Sequence, residues 1–540
     1  MAGLGTNVWP GGWGLLATRL PSILGALGSV LLLGLGVWYL TGNRRWGLLA
    51  ATILALNLSF LVVGRAATAD GLLNFFSLAL TLWVLVLLLP RPLPPATAGN
   101  LAMTTRLRHA ARALALQRWG WLGTGVLGAL AFLAKGPIAW FPAALVAGAL
   151  LLARPNRAAT WRTLAPLKVA LVVALGLGPW LALLLQQHGL AFFYEFFWVH
   201  NVQRFGGDLG NSQSSFLGYY LVVLLVGFFP WVALLPPAVW ALIKKQQRPQ
   251  LVARLASPHA AEALPLIALV WAVVYLAFFS FSGTKLAHYI VPAYPALAIV
   301  VGGWLASFKT QASQPVGSVA GSVGWLLWGL ALAGVLAVLT PLLQGVQGPV
   351  LTGLPAKLQP WLGFEWPLRD TLATAILQQP VAVGLGFYAA AAGIALSTIL
   401  VVAVRRGRRR WLPGLAAVWA ATLAALAWGV VPVVWRYTQA PLAQVAGVLQ
   451  QLPPSSVVVH HGLHKPSLRL LSGKPFTKTD NPVQIPPLLQ GVPELWVVTE
   501  AQDVPPLLQE LQTSRAGTVL DAKCVAGSCL ILLAPLPAMP

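Results

Sequence analysis

Residues 71–89 read GLLNFFSLALTLWVLVLLL, an uncharged and mostly apolar run between Asp70 and Arg91. At about 1.5 Å of rise per residue, a helix of this length nearly crosses the hydrocarbon of a bilayer, which is about 30 Å thick. A soluble core would not need apolar runs as long as this one. The stretch therefore predicts a transmembrane helix.

Runs of the same kind recur through most of the chain. Of its 540 residues, 58% are hydrophobic and only 9% are charged, which is far from the composition of a soluble protein. The chain is therefore predicted to be an all-α polytopic membrane protein over residues 1–435. Twelve candidate spans are expected at 20–41, 47–64, 71–89, 119–134, 137–153, 167–186, 216–243, 262–282, 286–306, 322–343, 381–404 and 411–434.

The loops between these spans sort the charged residues by side. Alternate loops hold 21 Lys and Arg residues, and the loops between them hold seven. By the positive-inside rule the 21 face the cytoplasm of a plasma (inner) membrane, so the amino terminus and the tail after 435 lie outside. The net charge of +23 then reflects topology and contact with anionic lipids, and no nucleic-acid partner is expected. Five of the six acidic residues before 435 fall outside: Asp70, Glu195, Asp208, Glu365 and Asp370.

The tail, residues 436–540, has shorter apolar runs and six of the 12 acidic residues of the chain. This composition predicts a small extracytoplasmic soluble α/β domain. The expected helices are 440–452 and 505–511, and the expected strands are 457–460, 495–499, 518–520 and 530–533.

Both cysteines of the chain lie in this tail. Cys524 and Cys529 flank a tight turn, where a disulfide or two free thiols are expected ahead of a zinc site, because no further ligands have suitable spacing. His460, His461 and His464 could bind a metal, but a solvated polar loop is the favoured interpretation.

The outer loop 187–215 is the richest in chemically useful residues and contains FFYEFFWVHNVQRFGGD at 192–208. On an α-helix, His200 and Arg204 share one face, with Glu195 about one and a half turns upstream. That face would offer an acid or base, a metal ligand and a cation for phosphate. An interfacial amphipathic helix with hydrated polar groups explains the pattern equally well.

Two short outer turns carry further ionisable residues. Asp70 follows Arg65 in a short connection, where it either caps the next helix or lies at the mouth of the bundle beside a cation. Lys285 precedes His288 and Tyr289, so it is either a snorkelling anchor or a phosphate ligand near the membrane surface.

For Lys135, in the turn AKGP at 134–137, a structural role is favoured. The remaining candidates, Asp70, Glu195, His200, Arg204 and Lys285, would converge at headgroup depth. Such a site suits a substrate with an anionic phosphate and a long apolar tail. Secondary transporters bind at mid-membrane beside charges within their spans, and these spans hold almost none, so a transporter is disfavoured.

Six motifs in order resemble glycosyltransferase family 39, which holds protein O-mannosyltransferases and the aminoarabinose transferases that modify lipid A. The similarity is closest to the bacterial aminoarabinose-transferase branch and covers nearly the whole chain, including the tail. The motifs are ATRLPS at 17–22, GRAATADGLLNFF at 64–76, AFLAKGP at 131–137, FFWVHNVQRF at 196–205, FFPW at 228–231 and TKLAHYIVP at 284–292.

The resemblance implies a C-type membrane glycosyltransferase architecture and transfer of a sugar from a polyprenyl-phosphate donor to an extracytoplasmic lipid, glycan or protein, with inversion. We predict Asp70 and Glu195 as catalytic carboxylates. By position in the motif, His200 matches the family's metal-associated histidine, so a divalent metal ion is the one candidate cofactor. The residues predicted to bind the donor phosphate are Arg204, Lys285, Arg65 and Tyr289.

One departure from the family pattern leaves two interpretations open. The family has a first transmembrane helix and a long outer loop with an Asp-Glu pair ahead of the ATRLPS motif, and the sequence begins just before that motif. Either translation starts further upstream, or this is a short form that uses Asp70 or is inactive. The alternative function is therefore a catalytically inactive lipid-binding or assembly protein of the same fold.

Overall fold

The computed structural model describes residues 13–89, 100–206, 216–243, 248–308, 319–345 and 385–430 apart from 407, and parts of the tail between 446 and 535. The described part before the tail is almost entirely helical, as predicted. Its helices are α1 Trp13–Thr41, α2 Arg44–Ala55, α3 Leu58–Arg65, α4 Asp70–Leu88, α5 Asn100–Lys135, α6 Phe141–Ala153, α7 Arg157–Leu164, α8 Pro166–Phe193, α9 Tyr219–Gly227, α10 Leu235–Ile243, α11 Arg248–Ala256, α12 Ala260–Ser280, α13 Tyr294–Ala306, α14 Val319–Gly345, α15 Leu385–Arg405 and α16 Leu412–Ala425.

Short segments of 3₁₀-helix or π-helix join several of these helices. The 3₁₀ segments are Pro137–Trp140, Trp231–Leu234, Ala287–Ala293 and Arg409–Trp411, the π-helical segments are Tyr194–Gln203 and Leu426–Val430, and a short helical turn covers Arg204–Gly206.

The described helices confirm a multi-pass membrane protein. Six of them are long and apolar enough to cross a bilayer, and the number rises to eight if each of two bent pairs is one span. The segments Pro137–Ala153, Ser322–Leu336 and Leu412–Trp428 are shorter apolar helices. All six long spans overlap spans expected from hydropathy.

Two spans expected to be continuous are broken in the structure. The expected span 47–64 is broken into α2 and α3 with a bend of 64°, and the expected span 216–243 is broken into α9 and the helix Trp231–Ile243 with a bend of 106°. At the first break Asn57 caps α3 by accepting a hydrogen bond from the amide of Phe60. Pro230 lies in the second break and has no amide hydrogen to continue a helix. Hydropathy is insensitive to both features, because the residues on either side remain apolar.

Close backbone contact between α1 and α4 fixes the position of Asp70. A Cβ added to Gly71 would lie 2.5 Å from the Cα of Ser22, and one added to Gly25 would lie 2.5 Å from the carbonyl oxygen of Gly71. The hydroxyl of Ser22 donates to the carbonyl of Thr68 at 2.5 Å. Glycine at these two positions lets the helices touch, and the start of α4 is held against α1.

The described part of the tail contains a five-stranded sheet in the order β2-β1-β3-β5-β4. β1 is parallel to β2 and β3, whereas β5 is antiparallel to β3 and β4. All four expected strands are confirmed within it, while the expected helices lie mostly outside the described residues. The strands are β1 Val457–His461, β2 Thr477–Thr479, β3 Leu495–Glu500, β4 Gly517–Val525 and β5 Ser528–Pro535.

The favoured interpretation of the tail histidines as a solvated loop was wrong for two of the three. His460 and His461 lie on β1 with only 6% and 3% of their surfaces exposed. His460 stacks on Phe476 with ring centroids 3.8 Å apart, and burial lowers the pKa of His460 to about 4. His460 is therefore a neutral core residue near pH 7, and His464 lies outside the described residues.

Candidate active site

Asp70 is the first residue of α4, and its side chain is buried. The residue is 6% exposed, and the N-cap position of the helix is Ala69, which makes no side-chain hydrogen bond. The interpretation of Asp70 as a simple helix cap was therefore wrong. A buried carboxylate needs a cation or hydrogen-bond donors to remain ionised.

Lys135 supplies that cation. It is the last residue of α5, and its ammonium forms a hydrogen-bonded ion pair with the Oδ1 of Asp70. Gly136 follows with a φ of 77°, a left-handed conformation that glycine adopts without strain, and it turns the chain sharply after Lys135. Lys135, for which a structural role was favoured from the sequence, is thus the ion-pair partner of Asp70. One third of the Lys135 side chain (33%) remains exposed.

The turn between α12 and α13 closes a third side of the site. His288 places its Nε2 3.9 Å from the Oδ2 of Asp70, so the carboxylate lies between an ammonium and an imidazole. Lys285 is 5% exposed, and its ammonium donates to the carbonyl of Ser282 at 2.6 Å. It is therefore a buried cation within this turn and not a snorkelling anchor. Tyr289, beside His288, is half-buried.

The aromatic segment of the outer loop spans the distance between these two turns. Phe196 packs on Phe132 and would lie 2.9 Å from a Cβ added to Gly136, next to Lys135. At its other end, the carbonyl of Phe205 accepts a hydrogen bond of 2.8 Å from the amide of Gly283. The segment therefore runs along the edge of the site, from the Lys135 turn to the Lys285 turn.

This segment is π-helical between Tyr194 and Gln203, where an α-helix was expected. In a π-helix the hydrogen bonds join residues five apart. The α-helical spacing that would place His200 and Arg204 on one face therefore does not apply to this segment. Asn201 donates its side-chain amide to the carbonyl of Phe196, five residues earlier, at 2.6 Å and so supports the wide turn.

Two other predicted site residues are exposed. Glu195 is exposed on the π-helical segment, and Arg65 is exposed at the end of α3. For His200 and Arg204 the backbone is described but the side chains are not. Asp208, Glu365 and Asp370 lie outside the described residues.

The sequence contains a signal for the pairing of Lys135 with Asp70. The outer loops hold only seven cations, and a buried carboxylate such as Asp70 needs one of them as a partner. The AKGP turn offered one next to a glycine, at the end of a predicted span that borders the same outer face.

The described donor groups do not by themselves make a metal site. No group of three His, Cys, Asp or Glu side chains with metal-binding proximity occurs among the residues whose side chains are described. Asp70 and His288 together offer one carboxylate and one imidazole, fewer than the three or four protein ligands usual for Zn²⁺. The metal and the role of His200 in binding it stay predictions.

Comparisons with known proteins identify several similar transferases. The chain is 30% identical to the undecaprenyl phosphate-alpha-4-amino-4-deoxy-L-arabinose arabinosyl transferase of Pectobacterium carotovorum over 292 residues, which are 54% of this chain and 45% of that protein. It is 32% identical to the enzyme of the same name from Serratia proteamaculans over 203 residues, 37% of this chain and 31% of that protein. The chain thus matches less than half the length of these relatives. No protein-family model matches it.

The fold comparison extends over nearly the whole chain. The crystal structure of ArnT from Cupriavidus metallidurans bound to undecaprenyl phosphate superposes with a TM-score of 0.64 at 18% identity, covering 98% of this chain and 86% of that one. The apo structure of the same protein gives a TM-score of 0.62 with the same coverage. The chain therefore has the fold of this aminoarabinose transferase, and the resemblance that its motifs indicate is confirmed in sequence over about half of its length.

Proposed function

We propose that the chain is an integral-membrane glycosyltransferase that moves a sugar from a polyprenyl-phosphate donor to an extracytoplasmic acceptor. The observation that carries the proposal is the buried Asp70 between Lys135 and His288, at the start of the apolar helix α4. This combination offers a proton acceptor beside the ammonium of Lys135, and it would lie at the depth of a lipid phosphate. The likeness in fold to a transferase crystallised with undecaprenyl phosphate supports the same donor class.

The charges of the site fit this chemistry. The leaving polyprenyl phosphate carries away the electrons of the bond to the anomeric carbon, and a cation stabilises its negative charge. The ammonium of Lys135 is paired with Asp70 in the structure and the Lys135 side chain is one-third exposed, and an arriving phosphate would share or take this ammonium. Asp70 would then be free to accept the proton of the acceptor hydroxyl as that oxygen attacks the anomeric carbon.

The remaining predicted residues fit around this core as proposals. Lys285 is the second cation for the donor phosphate, with Tyr289 beside it, and Arg65 and Arg204 would extend the positive surface. Glu195 would be the second carboxylate, and His200 would hold a divalent metal ion that adds positive charge at the leaving phosphate. The same proposal includes the complete arrangement of twelve spans, the soluble α/β tail domain and inversion at the anomeric carbon.

A donor-transfer assay tests the function. Purified chain in nanodiscs is incubated with polyprenyl-phosphate sugars labelled in the sugar, together with lipid, glycan and peptide acceptors. We expect label to move to one acceptor class and free polyprenyl phosphate to be released in equal amount. Donor binding with no transfer to any acceptor and no release of the sugar would support the alternative, an inactive lipid-binding protein.

The cysteines provide a test of sidedness without further engineering, because the chain has only two. The strand register places Cys524 on β4 directly opposite Cys529 on β5. Directly opposed residues in antiparallel strands have Cα atoms about 4.5 or about 5.5 Å apart, and both values lie in the disulfide range. If the tail lies outside a plasma membrane, we expect a disulfide.

Intact cells should then show no labelling by a membrane-impermeant maleimide until an impermeant reductant is added. The double variant Cys524→Ser/Cys529→Ser is the unlabelled control. Labelling that requires permeabilised cells but no reductant would place the tail in the cytoplasm and reverse the proposed topology.

A further inference from the structure

The two broken spans, α2–α3 and α9–α10, interrupt the backbone hydrogen bonding of helices that are apolar enough to cross a bilayer. Hydrocarbon offers no water to an unpaired carbonyl or amide, so a break persists only where other protein groups satisfy the backbone. The partners at each break therefore show what holds the two halves of the span at their angle.

The first break leaves the carbonyl of Leu56 without its helical donor. In a continuous helix the amide of Phe60 would donate to Leu56, four residues earlier. That amide instead donates to the Oδ1 of Asn57 at 2.7 Å. Asn57 is completely buried, so the cap and the orphaned carbonyl lie in the protein interior.

Two indole groups bind this carbonyl in place of the amide. The Nε1 of Trp419, on α16, donates to the oxygen of Leu56 at 2.8 Å. The Nε1 of Trp231, directly after the second break, donates to the same oxygen at 3.4 Å. Both side chains are 1% exposed, and the ring of Trp419 also contacts Phe229 in the second break at 5.0 Å between centroids. One carbonyl thus joins both breaks to α16, and the shorter bond comes from Trp419.

The outer halves of the two broken spans, α3 and α9, lead directly to the candidate active site. They touch at the break, where a Cβ added to Gly227 would lie 2.1 Å from the hydroxyl of Ser59. The outer end of α3 is joined by a short connection to Asp70. Near the outer end of α9, the hydroxyl of Tyr220 donates to the carbonyl of Leu286, next to Lys285, at 3.2 Å.

We propose that Trp419, which lies outside the candidate active site, is a positioning residue for it. Its indole N–H holds the carbonyl of Leu56 and so sets the orientation of α3 and α9, which in turn set the turns that carry Asp70 and Lys285. The kinetic part of the test rests on the proposed transferase function. A second part, by hydrogen exchange, does not.

The test variant is Trp419→Phe, which keeps an aromatic ring against Phe229 and removes the N–H. Its matched control is Trp46→Phe, since the Nε1 of Trp46 is also buried and donates to a helix carbonyl, that of Ile299, at 2.9 Å. This second bond lies away from the breaks, on the inner half-helix α2. Trp428→Phe is a control at an 81% exposed position.

All variants are measured in nanodiscs at a temperature far below unfolding, where a purely stabilising residue has no effect on kinetics. Loss of the shorter of the two hydrogen bonds to the carbonyl of Leu56 corresponds to a change of about tenfold in an equilibrium. We therefore expect Trp419→Phe to lower kcat/KM about tenfold and to raise amide exchange in 58–65 and 219–227 about tenfold. Exchange in 44–55 should be unchanged.

The control variants should retain wild-type kinetics and wild-type exchange in α3 and α9. Wild-type exchange in both outer halves of Trp419→Phe, or an equal kinetic loss in Trp46→Phe, would overturn the positioning role. If the unmodified chain transfers no sugar, the proposed function fails, and the exchange pattern alone decides the role of Trp419.

Discussion

Asp70→Asn is expected to lower kcat/KM for sugar transfer by at least about a hundredfold, which corresponds to about 2.7 kcal/mol of transition-state stabilisation. The amide keeps the size of the carboxylate but cannot accept a proton from an acceptor hydroxyl. It also leaves the ammonium of Lys135 without its counter-charge at a site where the carboxylate is 6% exposed. The loss should appear in initial rates of transfer from a labelled donor, with the amount of folded protein in nanodiscs unchanged.

A matched control is available on another acidic residue. Glu262→Gln is also an acid-to-amide change, and the Oε2 of Glu262 accepts a hydrogen bond from Ser257 at 2.8 Å near the start of α12. This variant should retain wild-type transfer. Near-normal transfer by Asp70→Asn would remove Asp70 from the reaction.

The double variant Asp70→Asn/Lys135→Met separates the two roles that Asp70 could have. If Asp70 acts only by holding Lys135, the double variant should lose no more than Lys135→Met alone, because residues of one unit are not additive. If Asp70 also accepts a proton from the acceptor, the double variant should be slower than Lys135→Met.

Gly71→Ala is expected to be strongly damaging although it adds only one methyl group. The added Cβ would lie 2.5 Å from the Cα and 2.7 Å from the carbonyl oxygen of Ser22, and neither backbone atom can move independently of α1. The helices must separate, and overpacking of this kind costs roughly 1–3 kcal/mol or more. We expect a lower thermal unfolding midpoint in detergent and a loss of transfer, because α4 carries Asp70 at its start.

Gly148→Ala is the matched control in α6, where an added Cβ meets nothing within 4 Å. Alanine favours helix more than glycine does, so this variant should be as stable as the unmodified chain or slightly more stable. A wild-type unfolding midpoint for Gly71→Ala would show that the contact between α1 and α4 is looser than the structure indicates.

The sequence by itself determined the membrane class, the positions of most helices and the strands of the tail. The run at 71–89 became α4, and the four expected strands lie within the sheet, because span length and strand alternation are local properties that the bilayer and the pleat impose on any chain. The sequence also identified the turns that carry Asp70 and Lys285, since ionisable residues between apolar runs are easily recognised in a sequence.

Only the tertiary structure decided which of these residues meet. Asp70 and Lys135 are 65 positions apart, and Trp419 and Leu56 are 363 apart. The breaks at Leu56 and Pro230 were invisible to hydropathy for a related reason. A buried charge or an orphaned carbonyl in hydrocarbon is stable only with a specific partner, and helix packing selects that partner through contacts such as Gly71 on Ser22, which no local pattern encodes.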